Sequence, residues 1–149
     1  GLVPAEIERG FGFLQSKPPT SFAPFAVTAD ELHGAFRGGR VHGPVSVRRS
    51  GEPFGNVDAG AEMHFSFGQL IAHAARTRPL PAGTIVGGGT IACEDPSKGS
   101  SCIVERRMRE QLTHGRPETP YLSVGETVRI EMRIDGESVF GAIENEVVP

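Results

Sequence analysis

Tryptophan is absent from this 149-residue chain and tyrosine occurs once, so nine phenylalanines and the aliphatic residues must supply the core. Only 38% of residues are hydrophobic, lean for a chain that must bury itself, and the expectation is that some apolar surface serves a partner segment. Cysteine is also scarce. Cys93 and Cys102 bracket a loop containing Asp95, Pro96 and Gly99; two cysteines make no disulfide framework and read as reduced thiols, although a bridge is geometrically open. No apolar run approaches the roughly 18–20 residues that span a bilayer, and no basic-then-apolar leader opens the chain. A soluble, cytoplasmic protein with no membrane partner is expected. Fifteen basic against 18 acidic residues give a formal charge of −3, which creates no field to gather phosphate backbones and argues against nucleic acid.

Glycine (20) and proline (12), by contrast, make up about a fifth of the chain and punctuate short strands and turns. A short helix over 2–10 is expected before Gly10, then extended segments from Phe11 to Thr28, where Phe11, Phe13, Phe22 and Phe25 alternate with prolines. Thr28-Ala29-Asp30-Glu31 reads as a capped helical turn running toward Phe36 and stopped by Gly38-Gly39. Val41 to Phe54 reads as a hairpin turning at Ser50-Gly51. Leu70, Ile71, Ala74 and Ala75 are spaced for a helix from Phe67 to Arg78, which Pro79 and Pro81 end. Thr84–Ile91 reads as a glycine-rich strand end, and Val104–His114 as a charged helix finished by Gly115. A last hairpin turns at Asp135-Gly136, with Val128, Ile130, Met132 and Ile134 alternating on its first arm. Periodicity and composition together predict one α+β domain, rich in β, with two or three short helices.

Five segments in fixed order carry more specific information. They are Gly83-Thr-Ile-Val-Gly-Gly-Gly-Thr-Ile91, Gly99-Ser-Ser-Cys-Ile-Val-Glu105, Thr119-Pro-Tyr-Leu122, Gly125-Glu-Thr-Val-Arg-Ile-Glu-Met132 and Ser138-Val-Phe-Gly-Ala-Ile-Glu-Asn145. This series resembles the carboxyl-terminal part of the fumarylacetoacetate hydrolase family, metal-dependent enzymes acting on small 2-oxo and 1,3-dicarbonyl acids. The likeness reaches back through Gly10-Phe-Gly-Phe-Leu-Gln-Ser-Lys17, so it covers nearly the whole chain. It implies a rolled, mixed β-sheet with helices on its rim, and makes 1–149 the carboxyl-terminal portion of a single catalytic domain whose upstream part lies elsewhere.

Lys17, in a Phe-rich stretch before Pro18, reads by itself as a lysine whose head snorkels to solvent. The resemblance implies a different role, an ammonium beside a bound cation and its carboxylates, where it offsets their repulsion. A following hydroxyl, Thr20 or Ser21, would complete that shell. The glycines at 87–89 read as a tight turn; without the lysine of a P-loop or the helix-opening context of a dinucleotide fingerprint they do not bind nucleotide. The resemblance makes Thr90 a donor to the substrate's carboxylate or oxo group. Glu105 reads as an ordinary first-turn helix glutamate. By resemblance it orients a histidine that activates water, the third member of a triad. Of the chain's own histidines, His33, His42, His64, His73 and His114, none has metal-ligand spacing, and each reads as structural or exposed, with His73 able to reach a shared interface. Glu94 and Asp95 lack the rest of a calcium loop.

The implied cofactor is Mg²⁺, or Ca²⁺ or Mn²⁺, but the family's aspartate and Glu-x-Glu ligands have no counterpart here. Glu6 and Glu8 reproduce the spacing in the wrong place. The resemblance therefore implies a hydrolase of C–C bonds in acylpyruvate-like or fumarylacetoacetate-like substrates of aromatic catabolism, in which this chain alone is inactive. Its expected partners are the substrate, the missing amino-terminal half or a companion chain, and further copies in a homo-oligomer such as a homodimer. The alternatives are a hydratase, decarboxylase or isomerase of the same enolate chemistry, and a non-catalytic assembly module that kept the fold and lost the metal. In the active form, Lys17, Thr90 and Glu105 are expected around one cavity.

Overall fold

The computed structural model describes residues 3–10 and 14–149. Phe11 and Phe13, two of the aromatics that open the resemblance, lie outside the described residues. Among the rest, three helices, α1 (Val3–Glu8), α2 (Phe67–Ala75) and α3 (Ile103–His114), accompany a sheet, so the chain is α+β and mostly β. The sheet comprises β3 (Pro44–Arg49), β4 (Glu52–Asp58), β5 (Thr127–Ile134), β6 (Glu137–Ser138) and β7 (Ile143–Glu146). Ahead of it, β1 (Phe36–Arg37) and β2 (Arg40–Val41) form a separate small hairpin. Each pairing among the described strands is antiparallel: β4 lies beside β3, β3 beside β5, and the far edge of β5 is shared by β6 and β7.

Three tight turns set the registers. Ser50-Gly51 (φ 49° and 83°) joins β3 to β4, and Asp135-Gly136 (51° and 86°) joins β5 to β6. Both central residues are left-handed in each, the twist that matches the flanking strands. Gly38-Gly39 (59° and 68°) does the same between β1 and β2. Those two glycines therefore do not stop the preceding helical turn. That 3-10 turn covers only Asp30–Leu32 and ends at His33, itself left-handed. Helix α2 likewise stops at Ala75, short of the expected Arg78, and Thr84–Ile91 forms no strand.

Register aligns one apolar face. Val57, Val45 and Met132 form one cross-strand row, and Gly55, Val47, Ile130 and Ile143 the next. Val57, Val47 and Met132 are buried there, with Leu32 and Ala35 from the preceding segment. The opposite face is charged: Arg129 pairs with Glu144 at 2.9 Å and with Glu131 at 3.2 Å, and Arg133 pairs with Glu131 at 3.2 Å. An antiparallel sheet that is wet on one side alternates in this way.

A bulge in β4 docks the third helix. Val47 pairs with Gly55 and Arg48 with Pro53, which leaves Phe54 with no residue opposite. Its carbonyl instead accepts the Ser100 N–H (3.2 Å) and Arg106 Nη2 (2.8 Å), and the Arg106 guanidinium stacks 4.7 Å from the Phe54 ring. Gly55 lets this happen, because a Cβ there would sit 2.1 Å from the Ser100 carbonyl oxygen.

The chain exposes 10655 Å², whereas a folded monomer of 15.9 kDa exposes about 7,300 Å². The excess of roughly 3,000 Å² includes an apolar stripe on α3, where Val104, Met108 and Leu112 recur every fourth residue and are 54–83% exposed. Among the described residues no helix is long and apolar enough to cross a membrane.

Candidate active-site cavity

A cavity of about 580 Å³ lies on the apolar face of the sheet. Val45, Ile130 and Met132 form one wall and Phe67 and Leu70 of α2 another. The segment Gly88–Ala92 closes a third side and carries Thr90 into the lining. Helix α2 is amphipathic yet has no buried residue, which follows from its apolar side facing the cavity.

Local chemistry fixes the start of α2. Ser66 caps it in a reciprocal box: its Oγ accepts the Gln69 N–H at 3.3 Å, and Gln69 Oε1 accepts the Ser66 N–H at 2.8 Å. Just ahead, Arg40 donates from Nε to the Met63 carbonyl (2.9 Å) and from Nη2 to the His64 carbonyl (3.2 Å). This clamp sets His64 and Glu62 in the cavity lining near the capped helix end. Glu62 Oε2 in turn accepts the Glu94 N–H at 2.8 Å, tying this rim to the loop that follows Thr90.

Of the sequence-derived candidates, Thr90 is the one in the cavity wall. Glu105 lies in the first turn of α3, 14% exposed at its side chain. Its Oε1 accepts Arg109 Nε (3.2 Å) and Nη2 (3.0 Å), and its Oε2 accepts the Ser101 N–H at 3.1 Å, while its own N–H is donated to the Cys102 thiol that caps the helix. The helix-start reading of Glu105 is thus fully realised. Neither Glu105 nor Lys17 lines the cavity that holds Thr90. Lys17 is exposed, its N–H donated to the Leu14 carbonyl at 3.3 Å. Thr20 and Ser21 are exposed as well, and Ser21 Oγ donates to Asn145 Oδ1 at 3.2 Å, joining this segment to β7.

Sequence reading passed over two histidines that the fold places usefully. His64 borders the cavity and meets Phe65 edge to face at 4.7 Å. His42 Nδ1 lies 3.8 Å from Asp58, whose carboxylate accepts the N–H groups of Gly43, Gly60 and Ala61 at 2.8–3.0 Å. That second pair organises the loop after β4. No spacing rule reveals either position, because both depend on where β2 and β4 return the chain.

A hard divalent ion takes about six oxygen ligands, several of them anionic. Two glutamates border the cavity: Glu62, whose carboxylate accepts a backbone N–H, and Glu131, whose side chain lies on the opposite, charged face of the sheet, held by Arg129 and Arg133. Among the described residues no three histidine, cysteine, aspartate or glutamate side chains gather into a metal-binding group. This donor set does not fit such an ion.

The family model described as "Fumarylacetoacetate (FAA) hydrolase C-terminal" matches residues 7–148. No curated protein matches the chain.

Proposed function

The chain belongs to the fumarylacetoacetate hydrolase family, in its carboxyl-terminal part, and on that footing we propose that it is a component of an enzyme cleaving a C–C bond of a small 1,3-diketo or 2-oxo acid. The family embraces hydrolases and related enzymes. The observation that carries the reading is the seat of Thr90 in the wall of the 580 Å³ cavity, within the size range of small-molecule sites. Its hydroxyl can donate to a carboxylate or oxo group, and apolar walls that exclude water strengthen that bond.

Members of the family generally bind divalent metals. The carboxylates to hold Mg²⁺, Ca²⁺ or Mn²⁺ would come from polypeptide outside these 149 residues, either an upstream half or a companion chain. The roughly 3,000 Å² of surplus surface supports such a partner, since obligate interfaces bury about 2,000–5,000 Å² in total, about half of it on each side. Part of it would serve a second copy in a homo-oligomer. Glu105 would hold a water-activating histidine from the same outside source. A carboxylate has about four acceptor sites, and three donors from Arg109 and Ser101 leave capacity for one more. Lys17 would sit beside the ion's carboxylates.

The test is an assay of this chain, alone and combined with the upstream polypeptide, with Mg²⁺ against acylpyruvates and fumarylpyruvate. Cleavage by the combination and none by the chain alone is expected. Hydration, decarboxylation or isomerisation products would instead assign a sister reaction. The lack of an acidic cluster among the described residues favours a second reading, a binding module without turnover. It predicts that the combination binds the acids and converts none.

A further inference from the structure

We propose that the acid received by this cavity carries an apolar tail, an alkyl or aryl acyl group, and not a second carboxylate. The inference rests on the substrate-site reading above and narrows it to a substrate class. Its basis is the distribution of polarity around the cavity. The polar residues among the described lining are Thr90, His64, Glu62 and Glu131, the last with its side chain on the opposite face of the sheet. The carboxylate of Glu131 is already satisfied by Arg129 and Arg133, and Glu62 and His64 sit on the rim tied down by Glu94 and Arg40.

The remaining walls come from three directions: Val45 and Ile130 from the sheet, Phe67 and Leu70 from α2, and Phe140 from the segment before β7. Among the described residues no arginine or lysine borders the cavity. An acid anchored at Thr90 therefore projects the rest of its length between hydrocarbon surfaces. A terminal carboxylate placed between those hydrocarbon surfaces would lose its hydration with no arginine or lysine among the described lining residues to replace it, a costly burial. An alkyl or phenyl group would gain by leaving water. Each buried methylene contributes about 0.8 kcal/mol, or roughly fourfold in affinity. Phe67 and Leu70 of α2, which line the cavity without being fully buried, would gain contact with the same group.

Isothermal titration of the purified protein with a series of 2,4-dioxo acids tests this, the chain lengthening from pentanoic to decanoic. A parallel series ends in a carboxylate. Affinity is expected to rise about fourfold per methylene until the cavity is filled, and each carboxylate-tipped analogue to bind at least about tenfold more weakly than its alkyl counterpart. Leu70→Gln, of similar volume, should flatten the rise. If 2,4-dioxopentanoate binds but length has no effect, or the carboxylate-tipped acids bind as well, the inference is wrong and the substrate-site reading stands. If the protein combined with the upstream polypeptide and Mg²⁺ also binds no dioxo acid at any length, both fall. Should Leu70→Gln fail to fold, the two series on the unaltered protein decide the matter.

Discussion

Arg49, at the end of β3, grips Glu126 through two parallel bonds, Nε to Oε1 and Nη2 to Oε2, each 2.7 Å long. The same guanidinium donates to the carbonyls of Pro120 (2.8 Å) and Tyr121 (3.2 Å). One side chain thus fastens the Thr119-Pro-Tyr-Leu122 segment and the entry to β5 onto the sheet. Arg49→Lys keeps the charge but loses the planar fork. We expect it to lower the Tm by a few degrees in a thermal melt; an unchanged Tm would show that the clamp is dispensable.

The same pair gives a pH dependence. The Arg49 guanidinium, with the Ser123 N–H, holds the Glu126 carboxyl at about 2, below the ordinary glutamate value of about 4.3. A carboxylate depressed by folding adds stability above its unfolded pKa and loses it as pH falls through the folded value. Glu6, held at about 2 first by the Ser16 hydroxyl, and Glu110, held at about 2 first by the Thr119 hydroxyl, act with the same sign. Urea midpoints should therefore fall steadily between about pH 5 and pH 2. The fall should be shallower in Arg49→Lys. Midpoints that stay level over this range would contradict the assignment.

Two glycines should respond in opposite ways to alanine. At Gly55 the added carbon meets the Ser100 backbone at 2.1–3.0 Å, so Gly55→Ala should destabilise by about 1–3 kcal/mol and loosen the docking of α3. At Gly87 nothing lies within 4 Å and the backbone is not left-handed. Gly87→Ala should be neutral, or stabilise by about 0.4–1 kcal/mol through the unfolded chain. Equal effects at the two sites in equilibrium unfolding would refute the packing described for Ser100.

For catalysis, Thr90→Val removes a hydroxyl while keeping shape. In the assembled enzyme it should raise KM for a 2-oxo acid by about tenfold or more, the worth of one hydrogen bond to a charged group. Unaltered KM would take Thr90 out of substrate binding.

Glu105→Gln should show the converse pattern: kcat lower by about a hundredfold or more, KM little changed, and folding nearly intact because the amide oxygen can still accept the Ser101 N–H. Full turnover would leave Glu105 as a helix-start residue alone.

Much of the architecture was legible because it depends on neighbours along the chain. Asp135-Gly136 and Ser50-Gly51 announce their turns, Pro79 bars any continuation of α2, and Gly115 ends α3 in a left-handed conformation. The short extension expected for α2 failed because the chain leaves the helix at Arg76 before the prolines compel it. Thr84–Ile91 misled for a different reason. Its β-branched residues suit a strand, but it pairs with none of the described strands, and β propensity without a partner yields irregular chain. Gly38-Gly39 was legible as punctuation and misread in kind, since a helix stop and a hairpin turn both call for left-handed backbone.

Local reading alone yielded the turns at Ser50-Gly51 and Asp135-Gly136, the Gly115 stop of α3, the alternation on β5 and the family. These rest on spacing within a few residues or on motifs in a set order. It did not yield the helix starts, which Ser66 and Cys102 cap and Thr28 does not. Tertiary packing was needed to show that Phe54 bulges out to receive α3, that His64 borders the cavity, and that Glu105 and Thr90 face different surroundings. Those outcomes depend on cross-strand register and on which backbones can approach a glycine. Both are properties of segments brought together across 45 to 87 positions, as Gly55 meets Ser100 and Val45 meets Met132, and no local pattern encodes them.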